Sequence, residues 1–274
     1  MRANPKTVPT SEIPAEGGLS RSAIKDNMMA NPSLQAIETH RTDWTAQIAG
    51  LPDLLAAGRT EVHTDSPSRS AETHNHMPDA ICALMRSTKG ELLITNACII
   101  PDANLMADLQ ELGGRGVKVS ILTNSLASHD VPAVNSHYEK WREPILATGA
   151  QLFALRPDAE MRGELAEIAP LRAEFVGLHT KAMVIDRQRA FIGSMNLDPR
   201  SEMGIIVDSP PLAYKLAEHM LRDMDGANSW QVVRANDDAL RWRSSAGERT
   251  SQPARSFSQR IQNVIFKAPP VDLY

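Results

Sequence analysis

The period of apolar and polar positions changes several times along the chain, and each change marks an element. Glu91 to Ile100, ELLITNACII, is nearly continuous in apolar residues and predicts a strand buried on both faces. Val117 to Asn124 (VKVSILTN) and Gln151 to Leu155 (QLFAL) predict two more. Between the first two, Asp102 stands where a helix cap belongs. Leu105, Leu109 and Leu112 then recur at helical spacing, and Gly113-Gly114 closes the run. The segment after Asn124 predicts a helix capped by Asp130 that turns Tyr138, Trp141 and Ile145 inward, with Pro144 kinking or splitting it. Strands alternating with helices predict parallel pairing with right-handed crossovers. Ligands of open α/β sheets bind beyond the carboxyl ends of the strands, which puts Thr123, Asn124 and Ser125 on a rim. Contact of Asn124 and Ser125 with a substrate, or a plain turn closing the strand, accounts for them equally well.

The flanks are less regular. Residues 1 to about 32 are rich in Pro, Ser, Gly and Asn and read as loop, followed by helical signals from Asn31 to Ala49. Thr60 to Thr64 (TEVHT) predicts a strand ended by Asp65-Ser66-Pro67, and Pro78 to Met85 a short helix. Glu160 to Leu171 interrupts the pattern as a polar excursion, either a lid or a surface loop. Ile205 to Val207 predicts a strand. Ser209 and Pro210 then start a helix with Leu212, Leu216, Met220 and Leu221 inward. Trp230 to Val233 and Leu240 to Trp242 predict a hairpin. In the final SFSQRIQNVIFKAPP, Phe257, Ile261, Val264 and Ile265 share one helical face, with Arg255, Arg260 and Lys267 around it. That stripe suits either the interfacial plane of an anionic bilayer or docking onto the domain.

Composition narrows the function classes. A net charge of −4 over 274 residues gives no global positive field, so nucleic acid is disfavoured as a partner and any anion attraction must be local. Cys82 and Cys98 lie in apolar runs and read as reduced core thiols. No stretch approaches the roughly 20 apolar residues that span a bilayer, and the opening MRANPKTVPTSEIPAEGG has no apolar centre of a secretory leader. His74 and His76 in AETHNH lack a cysteine or carboxylate at ligand spacing and read as solvated, so neither metal nor cofactor is expected.

Chemistry concentrates in LHTKAMVIDRQRAFIGSMNLDPRSE, residues 178–202. His179 and Lys181 are two apart, so on a strand both emerge on one face, and Met183 and Ile185 continue that parity while Ala182 and Val184 face the other layer. Gly193 permits close approach of backbone to a ligand. Ser194 and Asn196 add neutral donors beside the ammonium. An imidazole, an ammonium and two neutral donors make a receptor for a phosphodiester.

The spacing H-x-K-x4-D-x6-G-S-x-N resembles the signature of the phospholipase D superfamily. The segment GRGVKVSILTNSLASHDVPAVNSHYEKWREPILATGAQLFALRP and the DPRS at 198–201 are similar to bacterial cardiolipin synthases. The resemblance implies an α/β phospholipase D-like domain, a mixed and mostly parallel sheet flanked by helices, with an irregular N-terminal segment. It implies phosphatidyl transfer without a metal. His179 would form a covalent phosphohistidine, with Lys181, Ser194 and Asn196 on the phosphate oxygens. Asp186 would hold either the lysine or the strand turn, and Glu202 would orient His179. A surface ion pair with Arg200 is the other reading of Glu202. Two departures stand out. Asn96-Ala97-Cys98 replaces the family's Ser-Pro-Tyr, and the connection between DPRS and Glu202-Met203-Gly204 is shortened.

The expected division is 1–70 as the remnant of a first such domain with its linker, 71–245 as the catalytic domain, and 246–274 as a basic amphipathic tail. The two-step mechanism needs two histidines, and the chain carries one HxK motif. His137 and His219 fall at helix positions without one. A homodimer about a twofold axis or a two-motif synthase partner is therefore expected, acting on phosphatidylglycerol or a similar phospholipid at a membrane surface. The expected location is cytoplasmic or peripheral on the bacterial inner membrane. The other readings are a single-motif homodimeric phosphodiesterase acting on nucleic acid, and a catalytically incomplete remnant.

Overall fold

The three apolar runs form the centre of the sheet, and the rest of the chain is built outward from them. A computed structural model of the protein describes residues 56–65, 76–129, 132–162, 175–194 and 203–267, with isolated positions Ser22, Asp26, Met29 and Ala49. The chain divides into two compact units, Met1–Leu55 with Ala166–Ala173, and Ala56–Leu165 with Glu174–Tyr274. In the first, the four isolated positions are helical. Ser22, Asp26 and Met29 thus differ from the loop expected over 1–32. Apart from Ala49, the helix expected over 31–49 lies outside the described residues.

In the second unit the strands are β1 (Arg59–Thr64), β2 (Glu91–Asn96), β3 (Lys118–Asn124), β4 (Gln151–Leu155), β5 (Lys181–Ile185), β6 (Arg189–Gly193), β7 (Met203–Asp208), β8 (Ser229–Arg234), β9 (Leu240–Ser244) and β10 (Gly247–Arg249). Their order is β1-β7-β6-β5-β2-β3-β4-β8-β9-β10. The helices are α1 (His76–Arg86), α2 (Ala103–Gly114), α3 (Pro132–Tyr138), α4 (Arg142–Ala147), α5 (Pro210–Asp223) and α6 (Phe257–Ile265).

The α/β class and the mixed sheet hold, but the share of parallel pairing is corrected. Only β2–β3 and β3–β4 are parallel among the described residues. α2 crosses from β2 to β3, and α3 with α4 from β3 to β4. β5–β6 and β8–β9 are joined by short turns, which force antiparallel pairing. The boundary expected at 71 also moves. β1 pairs with β7 at the sheet edge, so the compact unit begins at Ala56.

Burial follows parity. Leu92 and Ile94 of β2, Val119 and Ile121 of β3, and Met183 and Ile185 of β5 meet α1, α2 and α4 in the main core, through Ile81, Leu109 and Ile145 among others. Leu93 and Val184 face the other way, against Ala213, Ala217 and Met220 of α5. The expected Met220 is buried and the expected Leu216 packs against the cluster, but Ala213 and Ala217 share that face and Leu221 is exposed. Two alanines let this helix sit close on the sheet where leucines would hold it away. Ser209 occupies the N-cap position, yet its hydroxyl donates to Ala57 O at 2.6 Å instead of capping.

Asp102 does cap α2, accepting from Leu105 N at 2.8 Å. The helix expected after Asn124 is split, with a 3-10 turn over Glu139–Trp141 upstream of Pro144. Pro144 cannot donate to the carbonyl of residue 140, so the ladder fails there and Pro144 falls in the first turn of α4. Asp130 lies outside the described residues, as do His74 and the polar excursion beyond Arg162. Neither cysteine is in a disulfide, and both are half-buried. Burial, with Asp108 beside it, pushes the Cys82 thiol up to about 11. No helix among the described residues is long and apolar enough to cross a membrane.

The C-terminal segment forms the expected helix, α6, but the side that docks is the polar one. Gln259 and Asn263 are buried, whereas Phe257, Ile261, Val264 and Ile265 are all exposed.

Candidate active site

β5 runs antiparallel to β2, with Asn96 opposite Lys181. The start of β5 therefore lies at the carboxyl edge of β2, β3 and β4, where ligands of such sheets are held. β6 ends and β7 begins at the same edge. His179, Lys181, Gly193, Ser194, Asn124 and Ser125 are thus brought to one rim, while Asp186 is carried to the opposite one.

Two apart and of one parity, His179 and Lys181 meet: Lys181 Nζ is 3.2 Å from His179 Nε2 and donates to His179 O at 3.2 Å. An ammonium has no lone pair, so its contact with the ring requires Nε2 as acceptor and places the imidazole proton on Nδ1. His179 is exposed and Lys181 is only 7% exposed. Among the described residues no carboxylate lies within ion-pair distance of Lys181. This ammonium is partnered by a ring nitrogen and a carbonyl and has no anion beside it among the described residues.

What fixes this pair is a residue that the sequence offered for another task. Asn124 is buried at the end of β3. Its Nδ2 donates to Leu178 O at 2.9 Å and Ala97 O at 3.1 Å, and its Oδ1 accepts from Leu178 N at 2.8 Å and Ser128 Oγ at 2.9 Å. One side chain thus holds both backbone groups of the residue before His179. Ser125, also buried, closes a turn with Ser128, its backbone N–H donating to Ser128 Oγ at 2.9 Å. Both residues thus make the turn that closes the strand. The signal was available: Asn124 shares the parity of Leu122, which faces a buried cluster with Leu178 packed against it. Gly177 matters beside them, because a Cβ there would stand 2.8 Å from Ser128 O.

The second half of the motif is arranged differently from expectation. A Cβ on Gly193 would meet Phe191 Cζ at 2.7 Å and Met203 O at 2.8 Å, so the close approach this glycine permits is to the Phe191 ring and β7. Ser194 is exposed, and its hydroxyl donates to Met203 O at 3.1 Å and accepts from Met203 N at 3.2 Å. Asn196 and Glu202 lie outside the described residues.

Of the two tasks expected of Asp186, the geometry gives it the turn. Asp186 and Arg187 adopt left-handed backbone, φ 50° and 52°, at the tip of the β5–β6 hairpin. Gln188 N closes the turn on Ile185 O at 2.9 Å. The Asp186 carboxylate accepts from Lys89 N at 2.9 Å, Gly90 N at 2.8 Å and Glu91 N at 3.0 Å. Burial raises its pKa, but those three amides together with Arg189 outweigh it and hold the carboxyl below the ordinary value. Arg187 adds a two-point ion pair to Glu91, at 2.7 and 3.2 Å.

The family model described as cardiolipin synthase, PLD-like domain matches residues 81–224. Cardiolipin synthase C of Escherichia coli (strain K12) is 29% identical over 230 residues, 80% of this chain and 48% of that protein. An uncharacterized protein of Helicobacter pylori is 28% identical over 176 residues, 62% of this chain and 34% of its own length. The crystal structure of a phospholipase D family member, Nuc from Salmonella typhimurium, superposes with a TM-score of 0.44 at 19% identity, covering 63% of this chain and 97% of that one. The chain spans about half the length, or less, of the curated relatives it matches.

Proposed function

The chain belongs to the cardiolipin synthase, phospholipase D-like domain family, and from that membership we propose that it transfers phosphatidyl groups between phospholipids through a phosphohistidine on His179. The observation that carries this reading is the buried Lys181 ammonium, 3.2 Å from His179 Nε2 and without a carboxylate among the described residues. A phosphodiester entering over the rim supplies the negative charge. Lys181 then turns from Nε2 to a phosphate oxygen, and the freed lone pair of Nε2 attacks phosphorus.

In that first step a P–N bond forms, the P–O bond to the leaving alcohol breaks, and an acid on the far side returns a proton to the alkoxide. In the second, the same group takes a proton from the acceptor alcohol, whose oxygen displaces His179. Ser194 and Asn196 are proposed as neutral donors to the equatorial oxygens, and Glu202 as the acceptor for Nδ1–H. The acid is proposed to be a second histidine, from another copy about a twofold axis or from a two-motif synthase. The surface on which this takes place is proposed to be a membrane, with the protein peripheral to it.

Purified chain incubated in EDTA with phosphatidylglycerol vesicles should yield cardiolipin and glycerol, with a minor hydrolytic product. The His179→Ala variant should yield none, and single-stranded DNA should remain intact. Cleaved DNA without lipid turnover would replace this reading by the homodimeric phosphodiesterase. No turnover, even with a two-motif synthase added, would leave a non-enzymatic domain.

A further inference from the structure

Helix α6 is docked with its amphipathic faces reversed. A helix on a globular domain ordinarily buries its apolar stripe and shows its polar side to water. Here the buried positions are Gln259 and Asn263, at 3% and 4% exposure, while Phe257, Ile261, Val264 and Ile265 are 77%, 46%, 64% and 61% exposed. The reversal is held by specific hydrogen bonds. Gln259 Nε2 donates to Leu126 O at 2.6 Å, Asn135 Nδ2 to Asn263 Oδ1 at 2.7 Å, and Asn263 Nδ2 to Glu139 Oε1 at 3.0 Å. Ser136 Oγ reaches Phe266 O at 3.0 Å, and Ser256 caps the helix through Gln259 N at 3.1 Å. This polar docking fixes the apolar face outward.

We propose that this face is a membrane-docking surface that lies in the interfacial plane of an anionic phospholipid bilayer. Charge selects that occupant. Residues 252–267 hold Arg255, Arg260 and Lys267 and no Asp or Glu, in a chain whose net charge is −4. Lys267 is paired with Glu139 at 2.5 Å. Arg255 stacks 3.4 Å from the Phe175 ring centroid and donates to His129 O at 3.1 Å, so it is not neutralised by a carboxylate there. Arg260 flanks the apolar stripe, and no carboxylate among the described residues stands within ion-pair distance of it. Apolar groups at the centre with cations beside them match the acyl boundary and the phosphates of an anionic leaflet.

The helix is also tied to the site. Gln259 holds the Leu126 carbonyl in the turn closed by Ser125 and Ser128, and Ser128 donates to Asn124, which clamps Leu178 beside His179. α6 is therefore linked by hydrogen bonds to the turn that holds the residue before His179. The choice of lipid over a protein partner rests on the phosphatidyl-transfer reading.

Co-sedimentation of the full chain with phosphatidylglycerol–phosphatidylcholine vesicles tests it. Wild type should bind these better than phosphatidylcholine alone. Ile261→Asp with Val264→Asp should lower the partition coefficient at least about tenfold on both. Arg260→Glu should lower it by about tenfold on the anionic vesicles only. Both variants change exposed side chains, so thermal unfolding and turnover of a short-chain soluble phosphodiester should match wild type. Vesicle binding that the variants leave intact, or absent from wild type, would overturn the proposal. So would a wild-type dimer that the Ile261→Asp, Val264→Asp variant converts to monomer in light scattering, since a second copy would then cover the face. Vesicle binding that follows these variants in a chain without lipid turnover would uphold the surface and remove the phosphatidyl-transfer reading instead.

Discussion

The two ends of β5 carry opposite charges in opposite electrostatic conditions. At the far end, the Asp186 carboxylate accepts three backbone N–H groups, and Arg187 beside it pairs with Glu91. At the near end, the Lys181 ammonium is as buried as a core residue and contacts only an imidazole and a carbonyl. Five positions along the chain carry the sequence from an ammonium with no anion beside it to a carboxylate held by three amides. Charges of the second kind hold a structure together. A charge of the first kind is one that an anion from outside would pair, which is the role proposed for Lys181. Membership in the signature motif does not distinguish the two, whereas the hydrogen-bond partners do.

Breaking the near end should have the largest effect. His179→Ala removes the nucleophile and should lower turnover by about four orders of magnitude, with an unchanged unfolding midpoint. Lys181→Met should lower turnover by about 10²–10³, the worth of one preorganised donor at about 2.7–4 kcal/mol. Its unfolding midpoint should be unchanged or higher, since an unpaired buried cation has been replaced by an apolar chain of similar length. Loss of stability in this variant would mean that Lys181 belongs with Asp186 after all.

The clamp lies between these extremes. Asn124→Asp keeps the shape but leaves Leu178 O and Ala97 O without their donor, and it should cost about 3 kcal/mol in chemical denaturation. Turnover should fall with it, because the residue before His179 is no longer held on both backbone groups. The far end should give the smallest effect, confined to stability. Asp186→Asn leaves an amide facing amides and should cost about 1–3 kcal/mol, with activity per folded molecule unchanged. The folded carboxyl of Asp186 sits below its ordinary value of 3.8. Its contribution is therefore present above that value and is lost as pH falls through the depressed one. The stability difference between wild type and variant should close on acidification in the same sense.

The legible part of this molecule was what parity and residue chemistry determine together. His179 and Lys181 had to share a face of an extended segment, and the structure brings their nitrogens together. Asp102 had to cap α2 because its carboxylate stands at the cap position three residues ahead of Leu105. Asn124 left two readings open because a polar residue at a strand end serves a rim or a turn with equal ease. Its clamp on Leu178, 54 positions away, comes from the fold and not from local sequence. The parallel share of the sheet was overestimated because the strand–helix–strand rhythm covers only β2 to β4. The stripe on α6 was visible, but amphipathicity does not say which side docks. Buried amides of Gln259 and Asn263 settle that through partners far away in sequence.

Trapping in alkaline denaturant, where a P–N bond survives, tests the central claim most directly. Chain mixed with a phosphodiester labelled at phosphorus, quenched within one turnover and digested should carry the labelled adduct on the peptide containing His179. The adduct should disappear on treatment with acceptor alcohol and be absent from His179→Asn. Turnover with no adduct, or with an adduct mapped to another histidine, would contradict the assignment of His179 as the attacking group.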